Sequence, residues 1–123
     1  MQETQRRLAF RAMWQKYFET HDVFLCPAGF SAAFPHDHSQ PLEERVVETT
    51  EGPRPYLTTP WWTMSATLSG LPATIAPVGL TATELPVGIQ IMSPMWEDGT
   101  AIVFAALLPD AIGGFRPPPA FGA

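Results

Sequence analysis

Fourteen prolines among 123 residues cut this chain into short pieces. Proline has no backbone N–H and a fixed φ, so a helix interior or a central strand runs through it only at the loss of a hydrogen bond. The density is about twice the usual ~5%. The prolines are scattered between apolar segments and form no single tract, so the chain reads as folded, with many sharp stops. Its length suits one domain, residues 1–123 sharing one core. Hydrophobic residues make up 46% of the sequence and charged residues 15%, against about 25% charged in an average soluble protein. That is an oily surface for a free-standing monomer. Twelve acidic against seven basic side chains give a net charge of -5, which offers no basic field for a phosphate backbone, so nucleic acid is not expected as a partner.

One cysteine, Cys26, allows neither an internal disulfide nor a thiolate zinc cage and fits a reducing compartment. Gln2 to Arg11 mixes charges into the first apolar positions, unlike a secretory leader, and no run of about 18 apolar residues marks a membrane span. The expectation is a cytoplasmic protein without a membrane partner.

From Glu3 to Thr20, Leu8, Phe10, Met13, Trp14, Tyr17 and Phe18 suggest one apolar helical face, with Arg6, Arg7, Arg11, Lys16 and Glu19 largely off it. Val23-Phe24-Leu25-Cys26, closed by Pro27, has the form of a strand buried on both faces. Residues 29–56 show no steady period and read as a long loop over the surface or over a pocket. Thr59 as cap and Pro60 at the first position open a helix that Gly70 ends. Ala73–Val78 and Val87–Met92 are β-prone runs that either pair as a hairpin or lie apart in a mixed sheet. Glu97 and Asp98 precede a helix from Thr100 to Leu108 that Pro109 should stop, and residues 109–123 read as an extended tail. Helices alternating with apolar strands indicate an α/β fold.

No complete catalytic set is visible. His36-Asp37-His38 is the tightest polar cluster, but adjacent loop residues point in different directions and no second ligand cluster accompanies it, so an exposed loop is the better reading and no metal is expected. Cys26 lacks the surround of a known cysteine nucleophile and suits burial as a small hydrophobe. None of Ser31, Ser39, Ser65, Ser69 or Ser93 stands in a G-x-S-x-G elbow, and Lys16, the one lysine, has no S-x-x-K partner. Glycine-rich nucleotide loops are absent too, so no cofactor is expected. Of the four tryptophans, Trp14 belongs to the helical stripe. Adjacent Trp61 and Trp62 cannot both face one way, so one of them belongs at a pocket, an interface or the surface.

Leu68-Ser69-Gly70-Leu71-Pro72-Ala73-Thr74-Ile75-Ala76-Pro77-Val78-Gly79-Leu80, followed by Leu85-Pro86-Val87-Gly88-Ile89-Gln90-Ile91-Met92, resembles a C-terminal segment of the amidase signature family. That family's form is T-G-x-P-A-x-x-x-P-x-G, a variable stretch, then G-L-P-V-G-x-Q-x-x-G. Asp22-Val23-Phe24-Leu25-Cys26-Pro27 is similar to its D-x-x-L-x-P strand, and Trp96-Glu97-Asp98 to the start of its closing helix. Two details depart: Thr67 stands where an asparagine is frequent, and Ser93-Pro94 replaces a common glycine.

The resemblance implies part of an α/β/α layered fold with a mixed sheet, incomplete within this chain. It implies an amidohydrolase that cleaves linear C–N amide bonds with a serine nucleophile, a second serine and a lysine, and no metal. Those residues lie in a signature upstream of the segment matched, so none is carried over and the chain alone should be inactive. A small-molecule amide would bind only with the N-terminal part present. What carries over is location: Cys26, Pro27, Ala28, Gly29 and Phe30, at the end of the first strand and just beyond, are candidate substrate-pocket residues, with Trp61 and Trp62 further candidates and core packing as the alternative. A different reading is a non-catalytic protein that keeps this scaffold and associates with itself or a partner through exposed apolar surface.

Overall fold

The computed structural model describes residues 2–118. Three helices and five strands follow in the order α1 (Gln2–Phe18), β1 (Phe24–Pro27), β2 (Val46–Val47), β3 (Arg54–Pro55), α2 (Trp61–Ser69), β4 (Ala73–Leu80), β5 (Pro86–Met92) and α3 (Asp98–Ile112). β4 and β5 form the hairpin that the sequence allowed. β1 adds to the other side of β5, giving a three-stranded sheet in the order β1-β5-β4 with every pairing antiparallel.

The prolines fall where a sheet tolerates them. Pro27 ends the edge strand β1, Pro86 opens β5, and Pro77 lies on the edge strand β4 at a register shift against Gly79. The β4–β5 turn is organised by Thr81, whose Oγ1 accepts hydrogen bonds from the amides of Thr83 and Leu85 at 3.3 and 3.1 Å, while Glu84 takes a positive φ of 61°.

Cross-strand partners share a face, so the register divides the sheet cleanly. Cys26 and Met92 face α1 and α2, packing with Ala66 and Leu71 and bordered by Trp14, Phe18 and Phe24. Ala76 and Ile91 face the other way onto α3, with Ala101 and, less buried, Phe104 and Leu108. The result is an α/β/α layering around one short sheet. Because α3 packs on β4 and β5, it leaves Leu25 of β1 42% exposed. The expectation of a strand buried on both faces therefore fails at β1: it is an edge strand covered on the α1/α2 side alone.

The buried face of α1 also differs from the expected stripe. Leu8, Phe10 and Met13 are exposed; the half-buried residues are Arg11, Trp14, Tyr17 and Phe18, at helical three and four residue steps, with exposed Arg7 one turn before Arg11. The two arginines reach the carboxyl end of α2, Arg7 Nε donating to the Leu68 carbonyl at 3.0 Å and Arg11 Nε to the Ser69 carbonyl at 2.8 Å. Those carbonyls have no partner within their own helix, and a cation there opposes the negative end of the helix dipole. Gly70 ends α2 in the left-handed region (φ 69°) as expected, its amide and that of Leu71 both returning to the Ala66 carbonyl.

Other boundaries move by a few residues. Thr59 ends a short 3₁₀ turn, Tyr56–Thr58, and does not cap α2; Pro60 occupies the position before Trp61 with no side-chain cap. Pro109 does not stop α3, which continues to Ile112 with the proline inside its last turn. Of the expected tail, residues 109–112 are thus helical, 113–118 have no regular structure, and 119–123 lie outside the described residues. Within residues 29–56, β2 and β3 pair across a turn in which Thr49 and Gly52 exchange backbone hydrogen bonds, and Val47 is buried. At the entry to α3, Ser93 is fully buried; its hydroxyl donates to the Glu97 carbonyl at 2.8 Å.

Candidate functional site

The loop leaving β1 turns back across the open end of the sheet on the α1/α2 side. Ala28, Gly29 and Phe30 border a cleft of about 420 Å³ whose floor is Ile75 and Gly88. Gly88 has a steric reason to be glycine: a Cβ there would sit 3.0 Å from Ile75 Cγ2 and 3.4 Å from the Ala76 carbonyl oxygen. Phe30 also borders a second hollow of about 530 Å³, which Trp61 and Trp62 close together with Thr49, Thr58 and Arg54. The two spaces share Phe30 as their common wall.

Sequence reasoning held that Trp61 and Trp62 point apart. Both border the same hollow, because it lies at the amino-terminal end of α2, where residues at successive angles reach it. Trp61 is 67% exposed and Trp62 38%.

Behind this wall sits a polar contact in an otherwise apolar layer. Gln90 is 2% exposed, and its Nε2 donates to Cys26 Sγ at 3.2 Å and to the Trp62 carbonyl at 3.3 Å. One carboxamide thus ties β5 to β1 and to the first turn of α2. Cys26 is buried and borders neither hollow. Burial pushes its thiol above the ordinary value, with the Gln90 hydrogen bond pulling weakly the other way. A thiol held protonated is a poor nucleophile. Pro27 is exposed and borders neither space. Of the seven sequence candidates, Ala28, Gly29 and Phe30 thus border one cleft, Trp61 and Trp62 border the adjoining hollow together with Phe30, and Cys26 lies behind them. Gln90, Ile75 and Gly88 were not singled out as site residues, although the pairing Cys26↔Gln90 and Ile75↔Gln90 puts all three strands in one row.

None of Ser31, Ser69 and Ser93 is paired with a base. Ser31 donates to the Ala32 carbonyl at 3.0 Å, Ser93 is held by Glu97, and the Ser69 hydroxyl is buried without a partner. Asp37 of the His36-Asp37-His38 cluster accepts from the Ser39 amide at 2.8 Å. The Ser39 hydroxyl and amide hold its carboxyl below the usual range. His36 and His38 lie stacked with ring centres 6.0 Å apart, and all three residues are exposed. No group of three His, Cys, Asp or Glu side chains among the described residues is placed to hold a metal, and no helix among them is long and apolar enough to cross a membrane.

The amidase family model matches residues 1–102. Among curated proteins, a glutamyl-tRNA(Gln) amidotransferase subunit from Leptospira interrogans is 29% identical over 102 residues, 83% of this chain and 19% of the relative. The same subunit from Rhodospirillum rubrum is 33% identical over 104 residues, 85% of this chain and again 19% of the relative. The chain thus spans about a fifth of the length of the relatives it matches. A crystal structure of an amidase superposes with a TM-score of 0.73 at 24% identity, covering 89% of this chain and 24% of that one, which shows that the layers described above are an amidase fold with an incomplete sheet. The family match takes in the first helix, the strand ending at Pro27, the β4–β5 hairpin and the start of α3, and on it the chain belongs to the amidase family.

Proposed function

We propose that this chain supplies the hairpin floor and one wall of the substrate cleft of an amidase, which hydrolyses linear C–N amide bonds with a serine provided by sequence upstream of the matched segment. The observation that supports this reading is that the loop after β1 borders a cleft over Gly88 and Ile75 and, through Phe30, adjoins a second hollow at the amino-terminal end of α2. In this reading the upstream serine attacks the amide carbonyl, backbone amides stabilise the oxyanion, the amine departs, and water releases the acyl group. Ala28, Gly29, Phe30, Trp61 and Trp62 orient the substrate and exclude water, Pro27 fixes the exit of the strand, and Cys26 backs the wall without touching the reacting atoms.

A small-molecule amide is bound productively only when the upstream part is present. Alone, the chain associates through its open edges at β1 and β4 and through exposed apolar side chains such as Leu25 and Ile75. The single free cysteine fits a cytoplasmic setting. The test is a chimera in which residues 1–102 replace the matching segment of the Rhodospirillum rubrum relative. Hydrolysis of a simple amide by the folded chimera supports the reading; a folded chimera that binds no amide contradicts it. Sedimentation of the isolated chain adds a second check, since a stable monomer would count against association through uncovered apolar surface.

A further inference from the structure

We infer that the hollow bounded by Phe30, Trp61 and Trp62 is a subsite for a neutral, planar aromatic group of the amide substrate. The inference rests on the reading that this cleft receives an amide, and it names the class of amide.

Three aromatic rings border a space of about 530 Å³; Trp61 stands largely in solvent, 67% exposed, and Trp62 keeps 38% of its surface exposed. Large rings standing in water at a concave site are the contact surface that a flat apolar ligand covers. The backbone that carries them is anchored, since the Trp62 carbonyl accepts from buried Gln90.

Thr49, Thr58, Arg54 and Glu51 around the hollow already have partners. Thr49 Oγ1 donates to the Gly52 carbonyl at 2.7 Å and Thr58 Oγ1 to the Pro55 carbonyl at 2.6 Å. Arg54 Nη2 pairs with Glu51 Oε2 at 2.7 Å, so the two formal charges at the rim cancel. A ligand carrying its own ammonium and carboxylate would have to give up water for partners that are already taken. A neutral ring would not. Phe30, shared with the neighbouring cleft over Ile75 and Gly88, then sets the ring beside the space where the rest of the amide lies.

The test titrates the folded chimera described above, which supplies the upstream part, with benzamide, hexanamide and glutamine and follows the indole N–H resonances of residues 1–102 by NMR. Benzamide should shift the Trp61 and Trp62 signals and leave that of core-packed Trp14 in place. Hexanamide should bind roughly two- to ten-fold more weakly, the worth of an aromatic pair beyond its buried area, and glutamine more weakly still. Trp61→Ala removes a largely exposed ring and should keep the fold while weakening benzamide by roughly two- to ten-fold; Phe30→Leu keeps apolar bulk but loses the ring and should do the same. Equal binding of benzamide and hexanamide, or benzamide binding indifferent to both substitutions, overturns the aromatic subsite and leaves the amide cleft standing. No response of any residue of either hollow to any of the three amides overturns both.

Discussion

Arg11 Nε lies 2.8 Å from the carbonyl oxygen of Ser69, and the same guanidinium occupies the space beside Gly70, where a Cβ would come within 2.8 Å of Arg11 Nη2. The end of α2, its glycine and a side chain from α1 therefore form one unit. Arg11→Ala should cost about 1.5 to 3 kcal/mol, the range for a hydrogen bond from a charged group. Gly70→Ala should cost about 1 to 2 kcal/mol for the left-handed backbone alone, and more while Arg11 is present. Urea unfolding of the two variants and the double variant checks this. The double variant should be less destabilised than the sum, and strict additivity would show that Gly70 and Arg11 act independently.

At Gly88 the account predicts a graded response. Gly88→Ala needs only a small movement of Ile75, whose side chain is half exposed, and should cost less than about 1 kcal/mol; Gly88→Val should cost about 1 to 3 kcal/mol as an overpacked site. Both fill the floor of the cleft, so amide binding by NMR should fall further with Val than with Ala. Unchanged binding in the Val variant would remove Gly88 from the cleft.

Cys26 gives a pH dependence with a definite sign. Burial raises its folded value, the largest effect on it, against the Gln90 hydrogen bond, while the unfolded chain loses the thiol proton at about pH 8.5. Above that value the unfolded state binds fewer protons than the folded one. Stability associated with this group is therefore fully present below about pH 8.5 and falls as pH rises toward the folded value. Unfolding measured at about pH 7.5 and about pH 9.5 should show a shallower alkaline loss in Cys26→Ala than in the parent, the slopes differing by at most about 1.4 kcal/mol per pH unit. Equal slopes would contradict the buried thiol.

The paired motifs around Gly70 and Gly88 made the hairpin and its family legible, because a left-handed helix end requires glycine at Gly70 and the close approach of Ile75 favours it at Gly88. The face of α1 was not legible. Arg7 and Arg11 count as polar in any hydrophobic pattern, yet both reach the carbonyls at the end of α2, which need donors, and Arg11 is half-buried in doing so. β1 misled for a related reason: an apolar run such as Val23–Cys26 looks alike in a central strand and in an edge strand whose outer face is uncovered. For the cleft, the resemblance pointed to Ala28, Gly29 and Phe30, but nothing local tied Gln90 to Trp62, a contact 28 residues apart in sequence. Thr59 and Pro109 show the limit of boundary signals, since a 3₁₀ turn absorbed the cap and the last helical turn tolerated the proline.

The most direct measurement is amide hydrolysis by the purified chain, with benzamide and hexanamide as substrates and each of its five serines replaced in turn. No turnover above the uncatalysed rate is expected in the parent or in any variant, because the nucleophilic serine is provided by sequence upstream and the chain serves as floor and wall. Turnover that disappears on replacing one serine would place the nucleophile inside this chain and contradict the account.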